Sequence, residues 1–75
     1  MSTSRVSGLK TIKAFKRMGF IKTRQKGSHV TLVKQTGFGK IVCVVPLHKE
    51  IRPKTFSRIL QQAKVSKAEF FKHYK

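Results

Sequence analysis

The sequence predicts an α+β fold: a three-stranded antiparallel sheet with helices packed on one face, in the order α-β-β-β-α, followed by a short extra C-terminal helix. Three observations predict it. Apolar residues recur at helical spacing over 9–18 and again over 56–63. The stretch between them is cut by glycines into runs rich in β-branched residues. A helix-start signal, Ser66-Lys67-Ala68-Glu69, then opens the tail. At 75 residues the chain suits one domain and not two, so residues 1–75 are read as a single unit.

The first helix is expected over 7–18, with Leu9, Ile12, Phe15 and Met18 as its apolar stripe and Lys10, Lys13 and Arg17 on the other face. Ser7 is placed to cap it, and Gly19 to end it in the left-handed conformation. Strands follow at 20–25 and 28–34, joined through Lys26-Gly27. A glycine-bearing loop at 35–39 leads into a third strand at 40–45. That strand reads Ile-Val-Cys-Val-Val without a polar break, which predicts a central position covered on both faces, and Pro46 ends it. Residues 47–52 form a connection. Pro53 opens the second helix at its first turn, and Phe56, Ile59, Leu60 and Ala63 supply a buried stripe. The final helix starts at Ser66 and docks through Phe70, Phe71 and Tyr74. Phe15, Phe20, Phe56 and Ile59 are assigned to the core and Cys43 to a small buried apolar position, while Phe38, at the tip of a glycine loop, is left open between a packed place and an exposed one where it stacks on a base or touches a partner protein.

Charge narrows the function. Eighteen Lys and Arg stand against two acids, Glu50 and Glu69, giving a net charge of +16. Such a chain adheres to polyanions. With two carboxylates, a carboxylate-bound Mg²⁺ or a catalytic acid pair is not expected. A single cysteine allows no disulfide framework and no cysteine zinc site. The longest apolar run, 41–46, is too short to span a bilayer, and the opening residues carry no signal-peptide core, so a cytoplasmic domain with no metal, cofactor or membrane is expected.

Three histidines are candidates for chemistry, because imidazole exchanges protons near neutrality. His73, near the C-terminus, is read as an ordinary surface residue. His29 follows Gly27-Ser28 and a basic run containing Arg24 and Lys26. If Val30 and Leu32 face the core, alternation puts His29 and Thr31 on the other face. Gly27 lets another backbone approach, and Arg24, Lys26 and Ser28 would lie near a phosphate brought to His29. His48, in Pro46-Leu47-His48, is a candidate second proton-transfer group, the alternative being that it orders the 46–52 loop or contacts phosphate. Lys10, Lys13 and Arg17 are a stripe that can track an RNA backbone.

The sequence resembles the HicA family of toxins, mRNA interferases of type II toxin–antitoxin pairs. The resemblance runs from about Leu9 to Glu69. It is carried by the helix ending in Met18-Gly19-Phe20, by Arg24-Gln25-Lys26-Gly27-Ser28-His29, by the Pro-x-His element Pro46-Leu47-His48, and by the basic second helix within 51–63. The resemblance implies the double-stranded-RNA-binding-domain-like fold and metal-free cleavage of mRNA, which halts translation. It also implies catalysis by the histidine of Gly-Ser-His, here His29, and neutralisation by a HicB-type antitoxin. This sequence departs from the pattern at Val30, where relatives often carry an aromatic residue or another histidine. It departs also at Lys54, where many have Gly before Thr, and in the tail 70–75.

Metal-free RNA cleavage uses the ribose 2′-OH as nucleophile. One group takes its proton, and another protonates the 5′ leaving oxygen. A different class of function shares the charge and the topology: a non-catalytic module that grips duplex RNA or associates with ribosomes. Gly27-Ser28-His29 discriminates between them, because a pure binder needs no titrating group there.

Overall fold

The computed structural model describes residues 6–74. The expectation about a leader rests largely on residues 1–5, which lie outside the described residues. The element order is α1 (Gly8–Arg17), β1 (Ile21–Lys26), β2 (His29–Thr36), β3 (Gly39–Pro46), α2 (Pro53–Ala63) and α3 (Lys67–His73). The sheet is antiparallel with strand order β1-β2-β3. α1 packs against β1, β3 and α3, and α2 against β3. This is the α+β architecture that the sequence predicts.

Local chemistry sets the helix ends. Ser7 is extended, and its hydroxyl oxygen accepts from the Lys10 N–H at 3.1 Å. Gly19 leaves α1 with φ +101°, a conformation that costs other residues strain. Pro53 sits in the first turn of α2, where no intrahelical N–H is lost. The Ser66 hydroxyl accepts from the Glu69 N–H at 3.1 Å, so the predicted capping signal starts α3. The Glu69 carboxylate turns outward to His73 at 3.3 Å and Lys72 at 3.8 Å.

The core lies between the sheet and the helices. Phe15, Phe20, Val30, Leu32, Cys43, Val45, Phe56, Ile59, Leu60 and Phe70 are buried there. Phe70 touches the rings of Phe15 and Phe56 at centroid distances of 5.4 and 5.1 Å, which joins all three helices through aromatic contacts. The expected core set Phe15, Phe20, Phe56 and Ile59 is found in place.

Three expectations are corrected. β3 is an edge strand, not a central one. Val42 and Val44 are 46% and 37% exposed while Cys43 and Val45 are buried, so only alternate side chains of the apolar run are covered. All the described helices lie on one side, and no described element covers the other sheet face. The free edge of β3 is managed instead by Gln62, whose side-chain carbonyl accepts the Val44 N–H at 3.3 Å. Leu9 is the second correction: it is 59% exposed, and Thr11 and Ala14 take core places beside Ile12 and Phe15. Thr11 is tolerated because its hydroxyl donates to the Ser7 carbonyl at 2.7 Å. His73, expected on the surface, is half-buried against Glu69.

Cys43 is fully buried, and desolvation pushes its thiol up from 9.0 to about 12. The unfolded thiol ionises first. Between those values the unfolded state binds fewer protons, so this group's contribution to stability falls as pH rises, by about 1.4 kcal/mol per pH unit. The difference in urea stability between wild type and Cys43→Ala is therefore expected to shrink between pH 9 and 11. A constant difference across that range would contradict it.

Candidate active site

Three backbone hydrogen bonds bring His29 and His48 together. The chain turns at Gly27-Ser28, with Gly27 at φ +60°, and His29 opens β2 directly opposite Lys26. On its other flank His29 pairs with Pro46, the last residue of β3. From there the Leu47 N–H donates to the Ser28 carbonyl at 2.6 Å, which binds the outgoing loop to the turn that carries His29. The His48 carbonyl accepts the Gly8 N–H at 2.8 Å, and the Ile51 N–H donates to Val6 at 2.7 Å. The loop is thus fixed at both ends and in the middle.

Gly8 is required by this arrangement. A Cβ there would run into the Pro46 carbonyl oxygen, so only glycine lets the start of α1 lie against the Pro46–Leu47 backbone. The first residue of one helix therefore helps to position a histidine forty residues later in the chain.

The result is a cleft of about 370 Å³ lined by His29, His48, Glu50, Arg52 and Thr55, with Pro46 and Ile51 as its apolar wall. His29 and His48 are both exposed to solvent, as a macromolecular substrate requires. Val30 and Leu32 are buried and His29 is not, so the expected alternation of β2 holds. Lys26 is the cross-strand neighbour of His29. Arg24, opposite Thr31, comes next along the same face of β1. Ser28 contributes its carbonyl to the Leu47 hydrogen bond and does not line the cleft.

The stripe on α1 is set apart. Lys10 and Lys13 are exposed on α1, among the helices that cover the other face of the sheet from Arg24 and Lys26, and they do not line the cleft. Arg17 is directed elsewhere: its guanidinium donates to the His73 carbonyl at 3.1 Å, and so ties α1 to α3.

Sequence reasoning missed Glu50, Arg52 and Thr55. The run 47–52 reads as an ordinary connection, and the signal in it is positional: Pro-x-His stands just before a Glu-x-Arg-Pro that opens a helix. One of only two acids in the chain lies in the same cleft as two histidines. Among the described residues no three His, Cys, Asp or Glu side chains gather in a way that could hold a metal ion. None of the described helices is long and apolar enough to cross a membrane.

Chemically the cleft offers two imidazoles for proton transfer and a cation at Arg52 for a phosphate, with Lys26 beside His29 on the neighbouring strand. A family model described as HicA toxin of bacterial toxin-antitoxin matches residues 9–65. The matched span contains every side chain of the cleft and stops short of α3. No curated protein matches the chain.

Proposed function

The chain belongs to the HicA family of toxins from toxin–antitoxin systems, whose members are generally ribonucleases, and on that premise we propose that it is a metal-independent endoribonuclease that cuts mRNA. The observation that carries this reading is the shared cleft of His29 and His48. One imidazole takes the proton of a ribose 2′-OH, and the oxygen attacks the adjacent phosphorus. The bond to the 5′ oxygen breaks, and that oxygen leaves with a proton from the second imidazole. A 2′,3′-cyclic phosphate and a free 5′-OH result, so atoms and protons balance without water in the first step. His29, at the start of β2, is the residue assigned the essential transfer. His48 is its partner. Arg24, Lys26 and Arg52 hold the negative charge that builds on the phosphate.

The same reading assigns control to a HicB-type antitoxin. A chain of charge +16 favours an acidic partner that competes with RNA for one basic surface. Cellular arrest of translation follows when that partner is absent.

The test is direct. A defined RNA incubated with the protein is expected to yield fragments ending in cyclic phosphate, and excess EDTA leaves the rate unchanged. Intact RNA under all conditions would favour a non-catalytic duplex-RNA-binding or ribosome-associated role. Strong inhibition by EDTA would point to a metal-dependent reaction.

A further inference from the structure

A second concave site lies at the far end of the molecule, between α1, β2, β3 and α3. It is a groove of about 720 Å³, twice the volume of the histidine cleft. Half-buried Met18, Ile41 and Val65 give it an apolar floor, and Arg17, Lys34 and Lys64 stand around it. Lys34 Nζ is held 5.9 Å from the centroid of the Phe20 ring, over an aromatic face. Glu69 is the one acid lining the groove, and its carboxylate is already engaged with His73 and Lys72.

Lys64 supplies an independent observation. It has φ +57° and ψ +43°, the left-handed conformation that follows a helix and is most readily taken by glycine. Among the described residues it is the only non-glycine with positive φ. A cation thus stands at the groove on a backbone conformation that glycine takes most readily.

We propose that this groove is an accessory RNA-binding site that engages a single strand away from the point of cleavage. Lys34 and Lys64 take phosphates, and a base lies on the Met18, Ile41 and Val65 floor. The concave shape and apolar floor favour a nucleotide over the flat face of an acidic protein. His29 and Lys34 are five residues apart on β2, about 17 Å along the strand, and alternation points them to opposite faces, so an RNA strand that joins the two sites passes round the edge of the sheet and needs several nucleotides to do so. The groove is partly built by α3, beyond the family-matched span of 9–65, so it is a feature of this chain's tail joined to the family's core. The proposal rests on the ribonuclease reading only in taking RNA as the polyanion.

The test compares short and long RNA. In a His29→Ala background, the double variant Lys34→Gln, Lys64→Gly is expected to lose about tenfold in affinity for a 12-nucleotide RNA. The slope of log affinity against log salt is expected to flatten by about 1.4, two single-strand phosphates' worth. Binding of a dinucleotide stays unchanged, and with His29 intact the variant cuts that dinucleotide at the wild-type rate. Lys64→Gly alone accepts φ +57° without strain, keeps the fold, and carries part of the loss. Equal affinity and equal salt slope on the 12-mer would overturn the proposal. So would an equal loss on the dinucleotide, or lost binding of polyglutamate with RNA binding intact, which would mark a site for an acidic protein. If wild type cuts no RNA yet the 12-mer losses appear, the accessory site stands and the ribonuclease reading falls.

Discussion

Replacing His29 by alanine is expected to leave a folded protein that no longer cuts RNA. The two halves of that expectation come from different features. His29 is exposed at the start of β2, and its strand is held by Val30 and Leu32, which are buried. Removing an exposed side chain without a structural partner changes stability by no more than about 0.5 kcal/mol. The rate is another matter. A positioned acid or base contributes about 10²–10⁴-fold. Cleavage by the variant should therefore fall at least that far, and growth arrest on expression should vanish with it. His48→Ala is expected to fall within the same range, because it removes the partner transfer. Matching thermal melts for His29→Ala and wild type, together with mapped RNA ends, check both halves. Wild-type cleavage by the His29 variant would remove the assignment.

Much of the fold was legible in the sequence because its signals are local. Ser7, Pro53 and Ser66 each act on the backbone within three residues, and each helix starts where its signal stands. Leu9 misled for a geometric reason. A series spaced by three residues turns about 300° per step and so drifts by about 60°. Four such residues span roughly half the helix surface, wider than the face the sheet covers. Phe15 marks the centre of that face, and Leu9 falls at its rim. β3 misled because a run of β-branched residues suits any strand, whereas centrality depends on what lies beside and above it. Here none of the described elements covers the outer face, and Val42 and Val44 are left exposed.

The site divides in the same way. The placing of His29 follows from alternation along one strand. The arrival of His48, Glu50, Arg52 and Thr55 depends on the hydrogen bonds from Leu47 to Ser28 and from Gly8 to His48, which join distant stretches of chain. Arg17 shows the opposite outcome. It lies on a cationic stripe in sequence, yet it is spent on the carbonyl of His73.

Phe70→Ala is expected to produce the largest loss of stability of any single change considered. Phe70 is fully buried and meets the rings of Phe15, Phe56, Phe71 and Tyr74 at 5.1–5.4 Å. Truncating a buried phenylalanine costs about 3–5 kcal/mol. A chain of this length holds only about 4–11 kcal/mol in total. The variant should therefore lose at least about a quarter of its stability, measured as the drop in urea midpoint. Phe71→Ala, at a position 44% exposed, should cost far less. The comparison decides whether α3 is an appendage. It lies beyond the family-matched residues, and an appendage would peel away with a loss below about 1 kcal/mol. The contacts argue otherwise. Besides the Phe70 rings, the Ser7 N–H donates to the Tyr74 hydroxyl at 3.2 Å, and Arg17 holds the His73 carbonyl. Both ends of α1 are thereby fastened to α3, and the start of α1 in turn carries Gly8 against the loop of His48. One cooperative transition, lost as a whole in Phe70→Ala, is the outcome these connections require.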